Sequence, residues 1–227
     1  MKDIDIIYQH PDFWVLVKPA GESFHSEDGV GFAQRLKNAF PEQTFYPLHR
    51  LDKMTSGVIM FATNKAAAAQ FGAMFAEHQF EKRYLAVSSN KPKKKQGTVA
   101  GAMLPSRRGQ WKLSNQGGDF AATQFFSAAL EGNRYFYIRP LTGKTHQIRV
   151  ALKSLGAPIL GDVRYAGGGS DRGYLHAYSL AFTWRDQPFV FQVWPDHGVL
   201  FSDAAKELYQ TNFFEPSLSW PKFIIPK

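Results

Sequence analysis

The chain has 227 residues, and its 27 Lys and Arg against 19 Asp and Glu give a net charge of +8 and a pI near 9.6. It has no cysteine, which excludes a disulfide framework, a thiolate nucleophile and a zinc site with Cys ligands. The N-terminus has no apolar signal segment and no run reaches membrane-spanning length, so we expect a soluble, cytoplasmic protein whose basic charge suits a phosphate-rich partner.

In chain order, the first predicted elements are two short strands and a helix. The β-prone runs 4–8 and 13–17 flank a turn at His10-Pro11-Asp12. The segment 30–40 has apolar residues at helical spacing and predicts a short helix that ends before Pro41.

The next elements are a strand, a helix and a second strand. The run 58–62 is apolar and β-branched, which favours a buried strand. An alanine-rich helix is predicted at 65–78, with Asn64 as its N-cap, and a strand at 81–87. The Lys-rich segment 91–95 is more typical of a solvated loop than of a binding site, although in a basic protein it can contact an RNA backbone.

The second half of the chain begins with a predicted hairpin. The strands 120–130 and 134–139 flank Gly132-Asn133, which is a turn signal. A helix follows at about 146–155, and Thr145 is its predicted N-cap.

The last predicted elements are two strands and a short helix, at 174–184, 189–194 and 203–209. Strands outnumber helices and follow one another through short turns, so we predict an α+β fold with an antiparallel or mixed sheet. No repeat or linker divides the chain. We therefore predict one domain, 1–227, with a core at about 4–210 and a tail at 211–227.

The stretch 49–63 reads HRLDKMTSGVIMFAT and is the most informative in the chain. In it a carboxylate, Asp52, lies between Arg50 and Lys53 on a loop that leads directly into the predicted strand 58–62. A short loop on a rigid strand holds a reactive side chain steady. Asp52 is therefore the candidate centre of a functional site.

A second polar stretch, 139–152, reads RPLTGKTHQIRVAL. It places His146, Gln147 and Arg149 in the first turn of a helix, where backbone donors favour an anion. Arg149 could reach a carboxylate there or form an ordinary surface salt bridge. Tyr84, at the start of a buried strand, is compatible with a core position or with a site.

Several common catalytic motifs are absent. The segment Gly143-Lys144-Thr145 has Ile138 where a phosphate-binding loop requires glycine. Ser23 lies in no nucleophile elbow, and no pair of histidines has metal-ligand spacing on one helix. Nucleotide hydrolases, serine hydrolases and zinc enzymes therefore lose support.

Together these stretches resemble the RluA-type pseudouridine synthases, which isomerise uridine in RNA. The resemblance covers about Ile4 to Trp194. Its motifs, in the family's order, are KPAG at 18–21, HRLDKMTSG at 49–57, KRY at 82–84, LTGKTHQIRVAL at 141–152, PILGDVRYAGG at 158–168 and LHAYSLAF at 175–182. Lys144 stands where the family usually has arginine and Ala151 where histidine is common, and neither difference removes a charge that the chemistry needs.

The resemblance implies a fold and a set of roles. The fold would be the pseudouridine synthase catalytic fold, a mixed, mainly antiparallel bent sheet flanked by helices and loops. Asp52 would be the catalytic carboxylate, Arg149 would pair with it, Tyr84 would lie against the base, and Arg50 would hold the nucleotide out of its stack. Contacts to RNA or the base are expected from His49, Arg50, Lys82, Lys144, Thr145, His146 and Gln147.

The expected partner is ribosomal or transfer RNA, and we expect a monomer without metal or organic cofactor. Two other functions have less support in the sequence. A non-catalytic RNA-binding module on the same scaffold would not need Asp52, Tyr84 and Arg149 together. A glycoside hydrolase normally has two facing carboxylates, and no second one stands near these motifs. The sequence leaves open whether Asp52 attacks the sugar or takes a proton from it.

Overall fold

The computed structural model describes residues 3–26, 29–114, 117–213 and 215–226. The chain forms two compact units, the first from Met1–Lys82 and His176–Pro195 and the second from Arg83–Leu175 and Asp196–Lys227. The chain therefore passes from one unit to the other three times. A single domain with a core at 4–210 and a tail at 211–227 stays a prediction.

Strands predominate over helices along the chain, as the sequence predicts. In chain order the elements are β1 (Asp5–Gln9), β2 (Phe13–Lys18), α1 (Phe32–Ala39), β3 (Tyr46–Pro47), β4 (Ser56–Ala62), α2 (Lys65–Ala76), β5 (Glu81–Ser88), β6 (Gln96–Pro105), β7 (Trp111–Ser114), β8 (Asp119–Leu130), β9 (Asn133–Pro140), α3 (Gln147–Ser154), β10 (Leu175–Trp184), β11 (Gln187–Gln192) and α4 (Asp203–Asn212). None of these helices is long and apolar enough to cross a membrane.

In the first unit β4 lies at the centre of the sheet. The strand order is β1-β2-β4-β10-β11, with β3 also paired to β4, and all pairs are antiparallel except β4 with β10. All seven residues of β4 are buried. Met60 joins an aromatic cluster with Phe71 of α2, while Phe61 contacts Phe32 of α1 with ring centroids 6.3 Å apart. Helices cover both faces of β4, which explains its uninterrupted apolar sequence.

The second unit has an antiparallel sheet in the order β5-β9-β8-β6-β7. The predicted hairpin is confirmed as β8 and β9, but its turn lies one residue earlier than expected. Leu130 pairs with Asn133, so the two turn residues are Glu131 and Gly132, at φ 48° and 78°. Positive φ at both positions matches the right-handed twist of the strands. The predicted α+β class with a mixed, mainly antiparallel sheet is confirmed.

Helix α3 begins differently from the prediction. Thr145 is not its N-cap, because the residue before the helix is His146, in the left-handed conformation at φ 57°. The side chain of His146 forms no capping hydrogen bond; instead the Oε1 of Gln147 reaches back and accepts a hydrogen bond from the Lys144 N–H at 3.0 Å. Gly156 follows the helix at φ 78°, as expected for a C-terminal stop.

The C-terminal segment is attached to the sheet of the second unit. Tyr209 of α4 donates its hydroxyl to backbone carbonyls of β5 and β9. Beyond the helix, Glu215 binds the guanidinium of Arg83, which is 8% exposed, and the Trp220 ring packs on Phe126 at 4.7 Å. These contacts hold the predicted C-terminal tail along the sheet.

Candidate active site

Asp52 opens a tight turn that leads into β4. Its carbonyl oxygen accepts a hydrogen bond from the Thr55 N–H at 2.9 Å, and the carbonyl of Lys53 accepts one from the Gly21 N–H at 2.8 Å. Leu51, immediately before, is 5% exposed, whereas Asp52 itself is partly exposed. The backbone on both sides of the carboxylate is therefore fixed while the side chain can be reached from outside.

His49 ties the start of this loop to β4. Its Nε2 accepts a hydrogen bond from the Met60 N–H at 3.1 Å, and its ring packs on Phe75 with centroids 5.2 Å apart. Burial, and then the charge of Lys82, lower the pKa of His49 to about 3. Burial also lowers the pKa of Lys82. His49 is therefore a neutral hydrogen-bond acceptor at neutral pH.

A buried pair that sequence reasoning missed fixes the end of the loop. His176 Nε2 donates to the carbonyl of Val193 at 2.8 Å, and its Nδ1 lies 2.7 Å from the Ser56 hydroxyl. Gly57 follows at φ 115°, and a Cβ there would lie 2.2 Å from the carbonyl oxygen of Ala177. The only signal in the sequence was that His176 belongs to the LHAYSLAF motif.

The KPAG motif lies beside the same loop. Lys18 is fully buried, and its Nζ donates to the carbonyls of Pro19 and Glu22, each at 2.7 Å. Its backbone pairs with Gly57 of β4. The ammonium group thus orders the chain segment whose Gly21 N–H binds the Asp52 turn.

In the second unit Arg149 is the third residue of α3 and is 6% exposed. Its Nε and Nη2 donate to the two carboxylate oxygens of Asp162 at 2.7 and 2.8 Å. The Tyr165 ring lies against the guanidinium, with Cζ 4.9 Å from its centroid. This cradle sets the orientation of the guanidinium. Asp162 was not predicted as a site residue, although it is the one acidic residue of the PILGDVRYAGG motif.

Gln147 and Lys144 have partners within the second unit. Gln147 is buried, accepts from the Thr142 hydroxyl at 2.6 Å and donates to Ala122 and Thr123 at 3.0 Å each. Lys144 Nζ lies 3.4 Å from a carboxylate oxygen of Asp119 at the surface. Gln147 therefore orders the loop before α3, and its contact with RNA stays a prediction.

The remaining predicted residues differ in exposure. Arg50 is exposed, and Tyr84, on β5 opposite Ile138 of β9, is partly exposed. His146 Nδ1 lies 3.0 Å from the Tyr165 hydroxyl, so His146 and Arg149 share that tyrosine.

The predicted site residues are divided between the units. The first unit contains His49, Arg50, Asp52 and Lys82, and the second contains Tyr84, Lys144, Thr145, His146, Gln147 and Arg149. Within the described ranges, no group of three His, Asp or Glu side chains is arranged to hold a metal ion. The part each residue plays in chemistry stays a prediction.

Comparison with known proteins identifies the class. A family model described as RNA pseudouridylate synthase matches residues 12–154, more than half of the chain, and this range contains Asp52, Tyr84 and Arg149. The chain belongs to the RNA pseudouridylate synthase family, in its RluA-type branch.

Its relatives include several named synthases. An uncharacterized RNA pseudouridine synthase of Haemophilus influenzae is 42% identical over 222 residues, which are 96% of this chain and 99% of the relative. The dual-specificity RNA pseudouridine synthase RluA of Escherichia coli is 32% identical over 191 residues, 78% of this chain and 86% of the relative. Ribosomal large subunit pseudouridine synthase C of Vibrio parahaemolyticus is 30% identical over 190 residues, 78% of this chain and 60% of the relative.

Solved structures show the same fold. Human RNA pseudouridylate synthase domain containing 1 superimposes with a TM-score of 0.74 at 24% identity, covering 97% of this chain and 98% of the human one.

Proposed function

We propose that this chain isomerises specific uridines of structured RNA to pseudouridine, with Asp52 as the catalytic carboxylate. The observation that carries the proposal is the family match across the HRLD turn, where a partly exposed carboxylate lies on hydrogen-bonded backbone at the entrance to a buried strand. This arrangement suits a group that must meet its substrate in one orientation.

The chemistry is an isomerisation in which no atoms are gained or lost overall. The bond from uracil nitrogen to the sugar breaks, the base rotates, and a bond from uracil carbon to the same sugar carbon forms, with one proton leaving that ring carbon and another returning to the nitrogen. An ionised Asp52 can serve as the nucleophile on the sugar or as the base that removes a sugar proton.

The other residues are proposed to support this step. Arg149 would pair with the carboxylate of Asp52 and orient it, and the cradle of Asp162 and Tyr165 gives the guanidinium a fixed orientation for this. Tyr84 offers an aromatic face to the base, and Arg50 holds the nucleotide out of its stack.

The substrate is proposed to be a loop in ribosomal or transfer RNA, because a base must be unstacked to be reached. We propose that the protein acts on it in the cytoplasm, as a monomer and without metal or organic cofactor. Phosphate and base contacts are assigned to His49, Lys82, Lys144, Thr145, His146 and Gln147.

The test is the Asp52→Asn variant, which keeps the shape of the side chain and removes its charge. Pseudouridine would be mapped by mass labelling across ribosomal and small RNA in cells with the intact gene, without it, and with the variant. We expect one or a few sites to vanish in both defective strains, and purified Asp52→Asn to lose activity by a factor on the order of 10³ or more.

The exposed Asp186→Asn variant, also an Asp-to-Asn change, is the control and should keep every site. Full modification by Asp52→Asn would overturn the assignment of this carboxylate. Unchanged sites in the strain without the gene, together with no activity of the purified protein on RNA from that strain, would favour a non-catalytic RNA-binding role.

A further inference from the structure

The positive charge of this protein is concentrated in one stretch of sequence. Residues 82–118 contain nine Lys and Arg and no Asp or Glu, whereas the rest of the chain has 18 Lys and Arg against 19 Asp and Glu. The whole net charge therefore comes from 37 residues on and around β5, β6 and β7. A basic stretch of this kind indicates the surface to which an electrostatic partner binds.

Within this stretch the exposed cations form two groups at opposite ends of β6. One is the loop 91–95 before the strand, and the other is the tip of the β6–β7 hairpin, 106–112. A ten-residue strand spans roughly 30 Å, so the two groups lie about that far apart. The two groups are therefore separate candidates for a contact with RNA.

The hairpin tip is held in one position by three hydrogen bonds. Arg164 Nη1 donates to the carbonyl of Gly109 at 3.1 Å, Gln110 Nε2 donates to the carbonyl of Arg164 at 2.5 Å, and the Trp111 N–H donates to the Tyr165 hydroxyl at 2.7 Å. The tip is thus an ordered surface, and its exposed cations are presented on fixed backbone.

The same contacts place the tip beside the Arg149 cradle. Tyr165, which accepts from Trp111, is the ring that lies 4.9 Å from the guanidinium of Arg149 in the first turn of α3. The loop 91–95 lies at the other end of that helix, because the Lys93 N–H donates to the carbonyl of Leu155 at 2.8 Å. The tip therefore contacts the residue that packs on the guanidinium of Arg149, whereas the loop 91–95 contacts the far end of α3.

The side chains at the tip are available to a partner. Arg107, Arg108, Lys112 and Arg164 are exposed, and we call these four the tip surface. Within the described part of the chain none of the four forms an ion pair. The nearby carboxylate of Asp119 is engaged by Lys144, and that of Asp162 by Arg149. Guanidinium and ammonium groups that form no ion pair within the protein suit phosphate oxygens.

We infer that the tip surface binds the phosphate backbone of the substrate RNA next to the target uridine, and that the loop 91–95 does not. The inference rests on the proposed function, since it requires an RNA substrate. It assigns the tip surface to RNA binding and leaves the chemical step to other residues.

The experiment compares two triple variants that remove equal charge. One is R107Q/R108Q/K112Q at the tip, and the other is K93Q/K94Q/K95Q in the loop. The probes are deproteinised ribosomal RNA and bulk transfer RNA from cells without the gene. Filter binding and pseudouridine formation would be measured from 50 to 300 mM KCl, with thermal unfolding to check that each variant is folded.

The tip variant should lose affinity and kcat/KM at least tenfold at about 100 mM salt, with kcat at saturating RNA unchanged. The slope of log affinity against log salt should become shallower by about 2 for three lost phosphate contacts. The loop variant should stay within about twofold of the unaltered protein. Equal losses in both variants, or no loss at the tip, would overturn the inference.

Two further variants keep the test decisive. If the triple tip variant fails to fold, R107Q/R108Q leaves the strand residue Lys112 in place and should still lose affinity at least threefold. Asp52→Asn separates this inference from the proposed function, because it should bind RNA like the unaltered protein while forming no pseudouridine. Activity in Asp52→Asn would contradict the proposed catalytic role without changing the comparison of the two triples.

Discussion

At the scale of single residues, buried or half-buried polar groups fix the chain segments around the Asp52 turn. His49 is held neutral as an acceptor for the Met60 N–H, and Lys18 uses its buried ammonium to order the chain beside the Asp52 turn. A polar group taken from water is stable only with such partners. Protonation of His49 would therefore destabilise the segment that leads to Asp52.

The first prediction concerns the stability of the fold in mild acid. The pKa of His49 is about 3 in the folded chain and near 6.5 when unfolded, so the unfolded chain binds the extra proton first. The contribution of His49 to the free energy of unfolding is fully present above the unfolded pKa near 6.5 and falls as the pH decreases below it. Between pH 7 and pH 5 we expect this group to cost about 1 to 2 kcal/mol, and His49→Gln to remove that loss.

Urea unfolding at the two pH values measures the effect. The exposed His197→Gln variant is the control and should follow the unaltered protein. An equal pH dependence for His49→Gln and the unaltered protein would show that His49 titrates in the same way folded and unfolded.

At the scale of elements, β4 connects the Asp52 turn to the core. Its first residues pair with β10, its two faces are covered by α1 and α2, and the Asp52 turn leads directly into it. The strand requires close approach to β10 at Gly57, where φ is 115°.

The second prediction is that Gly57→Ala disrupts this junction. The added Cβ would lie 2.2 Å from the Ala177 carbonyl oxygen, and the backbone conformation is unfavourable for alanine. We expect a loss of about 3 kcal/mol or more in the free energy of unfolding, with loss of pseudouridine formation.

The matched control is Gly72→Ala in α2, where nothing lies within 4 Å of the new Cβ. Alanine is the better helix former, so this variant should gain about 0.5 to 1 kcal/mol and keep its activity. Chemical unfolding of both variants checks the contrast, and similar stabilities would contradict the close approach at Gly57.

At the scale of the whole molecule, each unit is completed by a segment that is distant in sequence from the rest of that unit. The first unit takes β10 and β11 from the last quarter of the chain, and the second takes α4 and the segment from 215 onward. The catalytic fold therefore requires the C-terminal region.

The third prediction is that removing residues 214–227 destabilises the second unit. The truncation takes away Glu215 and Trp220 and leaves the guanidinium of Arg83 buried without that carboxylate. We expect a loss of about 3 to 5 kcal/mol, measured by thermal and urea unfolding. Removal of 225–227 alone, beyond the 90% exposed Ile224, should change stability by less than about 0.5 kcal/mol.

The sequence by itself predicted what depends on near neighbours in the chain. The apolar run of β4, the Asn64 cap of α2, whose side chain accepts from the Ala67 N–H at 2.9 Å, and the β8–β9 hairpin follow from periodicity and turn chemistry. The family motifs likewise lead to the proposal that Asp52 is the catalytic carboxylate, because a motif is a local pattern of residues.

Only the tertiary structure decided which distant groups meet. Asp162 binds Arg149 from 13 residues away, His176 meets Ser56 from 120, and Glu215 reaches Arg83 from 132. The start of α3 also differs from the prediction: His146 precedes the helix in the left-handed conformation, and the side chain of Gln147 binds β8 and the loop before the helix. Local propensity acts through a few bonds along the chain, whereas these partners are chosen by how the strands pair and which side chains must be satisfied once water is excluded.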